Sequence, residues 1–349
     1  MTRADRYAAA GVQLDTAADA KRRIADLVRG TRTPLARGAV GGFGGMVRVP
    51  DGYRNPVLVL STDGVGSKVL VAAAAGVYDT VGEDLVNHSV NDILAHGATP
   101  LAFLDYIAAG NLVPEIAEQI VAGVARGCRA HTMTLAGGET AQMPDLYQPG
   151  HYDLAGSIVG VVEEDQALHG DRVTAGDQLI GYASTGLHTN GYTLARKIVF
   201  DGMHLGLHDP FPETGRSVQD VLLAVHRSYA AALRPVLGRV HALAHVTGGG
   251  IAGNLIRVLR PGVEAVVDAG SWPWPPLFRA LMRAGKIGRD EMRRVFNLGI
   301  GMIAVVARDE VELAMSAAER VHVQAWIIGE IRPARTGAAA AAAVRFEER

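Results

Sequence analysis

The sequence holds a single cysteine, Cys128, among 349 residues. One thiol excludes an intramolecular disulfide and any four-thiolate zinc site. It fits a reducing compartment, and the expected location is cytoplasmic. An excess of charge of one sign is also lacking. Lys and Arg number 34 against 36 Asp and Glu, a net charge of −2. A surface given over to nucleic acid or to an anionic bilayer is therefore not expected. Long hydrophobic runs are missing too. The longest uncharged apolar stretch, Val69 to Tyr78, is too short to span a bilayer. The opening Met1-Thr2-Arg3-Ala4-Asp5-Arg6 has no apolar core of the kind a signal peptide needs. Aromatic residues make up only 5%, whereas glycine is abundant at 42 residues. The glycines are clustered between apolar runs rather than periodic. That pattern points to tight turns and backbone-lined ligand sites.

At about 150 residues per domain, the length predicts two domains. Strand-like runs at Val57–Ser61, Leu101–Ile107, Thr134–Ala136 and Tyr152–Val162 alternate with helix-like runs at Thr16–Arg29, Val81–His96 and Glu115–His131. A polar stretch from Glu163 to Asp177 then marks a boundary, and the expected domains are 1–168 and 169–349. The second half repeats the rhythm. Its strands are predicted at Gln178–Ala183, Glu264–Asp268, Gly301–Val306 and Gln324–Glu330. Its helices are predicted at Tyr192–Val199, Val218–Leu237, Ile251–Leu259, Leu277–Ala284 and Asp309–Val321. The alternation is that of an α/β or α+β fold. The alanine-rich run Gly337–Val344 reads as a loose terminus.

Several segments carry chemistry-bearing residues. Gly38-Ala39-Val40-Gly41-Gly42-Phe43-Gly44-Gly45 could turn backbone N–H groups onto an anion, or could be a surface connector. It matches neither a GxGxxG pattern, since Val47 stands where the last glycine belongs, nor a Walker A run. Ser61-Thr62-Asp63-Gly64-Val65-Gly66-Ser67-Lys68 places an acid, two glycines and a lysine at the end of a strand. Asp92 interrupts an apolar helix, Asp105 lies within a strand, and Glu139 follows Gly137-Gly138. Each acid has an ordinary reading as a cap or a solvated side chain. Together they form a set of hard oxygen donors suited to Mg²⁺ held jointly with phosphates. The second half adds His188-Thr189-Asn190-Gly191-Tyr192 and His245-Val246-Thr247-Gly248-Gly249-Gly250, each ahead of a predicted helix, and Phe296-Asn297-Leu298-Gly299-Ile300-Gly301-Met302. Cys128, inside a predicted helix, reads as a packed small residue.

The ordered set DGVGSK (63–68), VND (90–92), FLDY (103–106), GGETAQMP (137–144), HTNGY (188–192), HVTGGG (245–250) and FNLGIGM (296–302) closely resembles the aminoimidazole ribonucleotide synthetase, or phosphoribosylformylglycinamidine cyclo-ligase, family. The opening Tyr7-Ala8-Ala9-Ala10-Gly11-Val12 resembles that family's usual start, and the likeness runs to about Glu330. The resemblance implies a two-domain α/β architecture. In it the N-terminal sheet forms a barrel with that of a homodimer mate, and a C-terminal α/β layer follows. It implies ATP-dependent ring closure of formylglycinamidine ribonucleotide in purine synthesis, with ATP and Mg²⁺ as cofactors. It also implies site residues. Asp63, Asp92 and Glu139 would be metal ligands. Gly41, Gly42, Phe43, Gly44 and Gly45 would cover the phosphates. Asp63, Lys68, Asp92, Asp105, Gly137, Gly138 and Glu139 would complete the nucleotide site, with Lys68 meeting a phosphate. His188, Thr189, Asn190, Thr247, Gly248, Gly249 and Asn297 would face the ribonucleotide. His188, Lys68 and Asp63 would be catalytic, with His188 as the candidate base. Ser67 and Thr189 stand where the family more often has Thr and Ser, and each keeps its hydroxyl. The nearest rival, selenophosphate synthetase, needs a reactive N-terminal Cys or selenocysteine, and Cys128 is far from that position.

Overall fold

The computed structural model describes residues 14–335 and 340–348. The Tyr7–Val12 motif lies outside them. The chain divides into two compact units. The first runs up to Ile93 and resumes over Thr99–Glu163; the second comprises Leu94–Ala98 and everything from Glu164 onward.

Unit 1 begins with helix α1 (Leu14–Arg29), followed by a short hairpin of β1 (Ala36–Arg37) and β2 (Met46–Val47). Then come β3 (Pro56–Gly64), α2 (Lys68–Ala75), α3 (Asp79–Leu94), β4 (Thr99–Ala109), α4 (Pro114–Ala130), β5 (Thr134–Gln142) and β6 (Tyr152–Glu163). The sheet order is β3-β6-β4-β5. Only β4 and β5 are parallel, and α4 is the crossover that a parallel pair requires. Pro114 starts α4, where its missing N–H costs nothing. Ala117, Ile120, Val121, Val124 and Cys128 recur at helical spacing and are buried. Helices α3 and α4 meet backbone to backbone. A Cβ on Gly82 would lie 2.1 Å from the Ile120 carbonyl oxygen, and one on Gly123 would lie 1.9 Å from that of Asp79. One face of the sheet, with Phe103, Ile107 and Ile158, is buried. The opposite face is open and apolar, with Leu58 50%, Leu60 69% and Leu104 38% exposed.

Unit 2 is built on a six-stranded sheet. Its elements are β7 (Gln178–Ala183), α5 (Tyr192–Arg196), α6 (Val218–Leu222), α7 (Ala230–Leu233), β8 (Val240–His245), α8 (Gly250–Leu255) and β9 (Val263–Asp268). They continue with α9 (Pro276–Gly285), α10 (Arg289–Val295), β10 (Ile300–Val306), α11 (Val311–Glu319), β11 (Ala325–Pro333) and β12 (Ala343–Glu347). The strand order is β12-β9-β11-β7-β10-β8, antiparallel except for β12 beside β9. All of β10 is buried, as its unbroken apolar sequence requires. Its Ile300, Ile303 and Val305 pack with Leu179, Val267 and Ile328 in one core.

The α/β expectation holds as a two-domain arrangement of mixed sheets and helices. Four local expectations are corrected. The glycines at 137–138 do not end β5; the strand continues to Gln142 along β4, with Ala136 bulged out of register. The long helix expected over Val218–Leu237 breaks after Leu222. There the Leu222 carbonyl accepts the Tyr192 hydroxyl at 2.5 Å and the Val225 carbonyl accepts the Thr185 hydroxyl at 2.5 Å, in place of helical N–H groups. Val240–His245 is a strand where none was read. The tail is not loose over its described part: Val344 and Phe346 pack on the unit 2 core, and Arg345 reaches Glu264 at 3.1 Å.

Candidate active site

Unit 1 concentrates its charge where β3 ends against α3. Asp63, the next-to-last residue of β3, has its Oδ2 in ion-pair contact with His88 Nε2 at 2.7 Å, and its Oδ1 accepts the Gly64 N–H at 2.7 Å. Asp92 Oδ2 lies 3.9 Å from the same imidazole nitrogen and accepts the Ser61 hydroxyl at 2.9 Å. Asp84, His88 and Asp92 are spaced i, i+4, i+8 and so share one face of α3. Burial opposes charge on His88, but the Asp63 hydrogen bond and the charges of Asp92, Asp63 and Asp84 outweigh it and raise its pKa. Burial likewise pushes the Asp63 carboxyl up, and His88 and the Gly64 N–H overcome it, leaving the pKa below the ordinary value. The result is an imidazole whose charged form is favoured, beside two carboxylates that remain 42% and 27% exposed. These are hard oxygen donors, and the set fits Mg²⁺.

Of the three expected metal ligands, Asp63 and Asp92 both approach the His88 imidazole, while His88 and Asp84 had no role assigned from the sequence. The four-residue spacing along α3 was the available signal. Other expected members lie elsewhere. Lys68 is fully buried, its Nζ 2.7 Å from the equally buried Asp84. Burial lowers its pKa, against the pull of Asp84. Its expected phosphate contact is therefore corrected to an internal ion pair. Asp105 is also interior. Register aligns Asp63, Gly156, Asp105 and Gly138 in one row across the sheet, on its buried face. A Cβ on Gly138 would meet the Asp105 carboxylate at 2.1 Å. Burial pushes the Asp105 carboxyl up to about 7. Glu139 pairs with Tyr106, one residue out of that row, and so projects from the opposite, open face. It does not join Asp63 and Asp92 around one ion.

The glycine loop does meet this second group. Gly45 abuts the bulged Ala136, leaving 2.5 Å between a built Cβ and that of Ala136. The end of the loop thus lies against Ala136, next in sequence to Gly137. Its outer part is open: a Cβ on Gly41 or Gly44 would meet nothing within 4 Å, and Phe43 is wholly exposed.

In unit 2, the two expected histidine motifs converge through a residue that was not expected. His188 stacks on His226 with ring centroids 3.9 Å apart, and His226 Nε2 lies 3.1 Å from His245 Nε2. One of these two nitrogens must donate and the other accept. The Thr189 hydroxyl lies 3.4 Å from His226 Nδ1. Asn190 reaches the other motif, its Oδ1 lying 3.3 Å from where a Gly248 Cβ would be. His226 gave no sequence signal, because Val221–Ala230 reads as uninterrupted helix. His188 is 1% exposed and has a φ of 62°, a left-handed conformation uncommon for such a side chain. Its ring lies against Gly301, where a Cβ would stand 2.4 Å from Cε1. Its Nε2 accepts the Thr185 N–H at 3.2 Å. The lone pair a general base would use is thus engaged, so this geometry fits positioning better than the expected base. Asn297 is also a clamp. Its Oδ1 accepts Ser184 Oγ at 3.0 Å and the Gly299 N–H at 2.8 Å, while Nδ2 donates to the Gly186 carbonyl at 2.8 Å. Gly248 and Gly249 are exposed, and Thr247 is half-buried.

The chain matches two family models: AIR synthase related protein, N-terminal domain, over residues 43–162, and AIR synthase related protein, C-terminal domain, over 174–340. It is 46% identical over 329 residues to the phosphoribosylformylglycinamidine cyclo-ligase of Trichlorobacter lovleyi, covering 93% of this chain and 94% of that one. It is 45% identical over 338 residues to the protein of the same name from Symbiobacterium thermophilum, covering 95% and 96%. Among solved structures, thiamine-monophosphate kinase from Stenotrophomonas maltophilia is similar with a TM-score of 0.70 at 20% identity, covering 94% of this chain and 96% of that one. Hydrogenase maturation protein HypE in complex with ATP is similar with a TM-score of 0.63 at 19% identity, covering 93% and 90%. At such identities these two likenesses concern the fold.

Two measurements check the unit 1 geometry. The first is a histidine NMR titration without added metal. His88 should titrate above its ordinary 6.5, and Asp63→Asn should lower that midpoint. The sign for stability follows from linkage. The His88 contribution is complete below pH 6.5 and lost as pH rises through the raised folded value. The Asp63 contribution is complete above 3.8 and lost as pH falls through the depressed folded value. An unchanged His88 midpoint in Asp63→Asn would contradict the pair. The second is denaturant unfolding of Lys68→Met. Stranding buried Asp84 should destabilise the protein by about 3–5 kcal/mol, with part recovered in Lys68→Met/Asp84→Asn. Wild-type stability with a raised KM for ATP would return Lys68 to the phosphate.

Proposed function

The chain belongs to the AIR synthase related family through both of its domains, and on that premise we propose that it catalyses the phosphoribosylformylglycinamidine cyclo-ligase reaction. Formylglycinamidine ribonucleotide and ATP give aminoimidazole ribonucleotide, ADP and phosphate. The observation that carries this reading is 44–46% identity to proteins of that name, running through both units.

The chemistry sets what the residues must do. Nucleophile and electrophile belong to one molecule, so much of the proximity comes from the substrate. The obstacle is the leaving group, an amide oxygen. The formyl oxygen takes the γ-phosphoryl group of ATP, the amidine nitrogen forms the new C–N bond, and the C–O bond breaks to release phosphate. Asp63 and Asp92 would hold Mg²⁺ with the nucleotide phosphates. The ion would supply positive charge where the transferring group is most anionic. His88 fixes both carboxylates in place. Gly41 to Gly45 would close over the phosphates, with Gly137, Gly138 and Glu139 at the base of that loop. Thr247, Gly248, Gly249 and Asn190 would face the ribonucleotide, while His188, Thr189 and Asn297 set the shape of that surface. Lys68 and Asp105 support the site from the interior.

We further propose that the open face of the unit 1 sheet is covered by a second copy, the two sheets closing into a barrel. Leu58, Leu60 and Leu104 form an apolar surface that a monomer would leave in water. More than ~2,000 Å² should be buried in such a dimer. Sedimentation should give a dimer at micromolar concentration that Leu60→Asp weakens; a wild-type monomer would contradict the barrel.

The activity itself is tested by phosphate release. Release should require formylglycinamidine ribonucleotide, ATP and Mg²⁺ together. ATP turnover that ignores the ribonucleotide would contradict the assignment. Gly44→Val tests the loop, since its side chain meets nothing within 4 Å in the chain itself. It should raise the KM for ATP about tenfold or more with an unchanged melting temperature, by stiffening the backbone and crowding the phosphates. Unaltered ATP kinetics would return the loop to a connector.

A further inference from the structure

The C-terminal strand β12 ends at a cavity of about 360 Å³ that shares no residue with the histidine cluster. Its lining is chemically mixed. Arg279, Arg289 and Arg293 line it together with Trp274 and Met282. The acid lining it is Glu348, which follows β12. One oxygen of that carboxylate takes both Arg289 Nη1 at 2.6 Å and Arg293 Nη2 at 3.1 Å. Arg293 is fixed in place: its side chain is 14% exposed and its guanidinium lies 4.6 Å over the Phe346 ring. Its Nε is buried and has no hydrogen-bond partner among the described residues. Arg279 is held by the Trp274 carbonyl at 2.7 Å and Glu213 at 2.9 Å.

This arrangement has more donors than its resident anion can use. Each guanidinium carries five N–H groups in a rigid fork. Arg293 Nη1 also reaches Asp290 at 3.4 Å, and Arg289 is 63% exposed, so the buried donor left unmet is Arg293 Nε. A buried N–H without an acceptor is costly. A tetrahedral anion with three oxygens would engage both arginines more fully. Glu348 is also easily displaced. Its side chain is 58% exposed, and exposed ion pairs contribute little. Trp274 in the same lining fits the rest of a ligand, because an indole accepts a flat heterocycle.

We propose that this cavity is a binding site for a phosphomonoester carrying a planar heterocycle. Its phosphate replaces the Glu348 carboxylate between Arg289 and Arg293, and its ring lies against Trp274. The site is independent of the ring-closing activity, since none of these residues has a part in it.

The probe is 5′-AMP, titrated into the full-length protein by calorimetry and by tryptophan fluorescence, with Trp274→Phe identifying the responding indole. Glu348→Gln should bind about two- to fivefold tighter, the release of one exposed ion pair. Arg289→Ala should bind about tenfold weaker or worse, with Arg289→Lys between it and wild type. Inorganic phosphate should bind more weakly than AMP. Turnover without AMP should be the same in Arg289→Ala, Glu348→Gln and wild type. Equal AMP affinity in all the variants would mean binding elsewhere and would overturn the site. So would no binding at millimolar AMP, or phosphate binding as tightly as AMP.

Discussion

The ion pair of His88 with Asp63 joins the end of strand β3 to the middle of helix α3, and the acidic site of unit 1 depends on it. Two carboxylates facing one another across a partly buried gap repel. Here they do so beside an imidazole whose charged form they favour, which in turn lowers the Asp63 pKa. The same helix face carries Asp84 one turn earlier, where it neutralises Lys68. A run of alternating charge, Lys68, Asp84, His88 and Asp92 with Asp63, is thus held by one helix and the end of one strand. Its inner end is sealed and its outer end is open. Removing water from the inner pair makes it rigid and costly to break. Leaving water at the outer end lets the carboxylates exchange the imidazolium for another cation.

Glycine has a different part in each unit. In the sheet of unit 1, Gly138 leaves room for the Asp105 carboxylate, which burial keeps partly protonated near neutral pH. In unit 2, Gly301 leaves room for the His188 ring. In both places a side chain would displace a polar group from the interior. Glycines in two of the singled-out motifs are therefore in part packing devices. The loop from Gly41 to Gly44 differs, because side chains there would have open space around them. Its glycines are needed for backbone freedom or for a ligand rather than for packing.

The pattern of elements was legible where periodicity was strong. Buried strand β10 and amphipathic helix α4 declare themselves in the sequence, and so did the site's acidic members Asp63 and Asp92. What failed did so for long-range reasons. Glu139 was read together with Asp63 because both end glycine-containing apolar runs. Which face of a sheet an acid occupies depends on register, and here a one-residue bulge at Ala136 helps set it. Lys68 beside glycines reads as a phosphate contact until Asp84, 16 positions on, claims it. His226 lies in a segment whose helical pattern is overridden by side chains of a distant loop, Thr185 and Tyr192, that take its carbonyls. The tail reads as loose because alanine carries no strand signal. Two residues after the alanines, Val344 and Phe346, supply the apolar contacts that bind it to the sheet.

The central claim is that Asp63 and Asp92, ordered by His88, form the cation site of the nucleotide. Electron paramagnetic resonance of Mn²⁺ with saturating ATP tests it most directly. Wild type should bind one tight protein-dependent ion, and Asp92→Asn should lose it while Glu139→Gln keeps it. Retention of the ion in Asp92→Asn, or its loss in Glu139→Gln alone, would contradict the account.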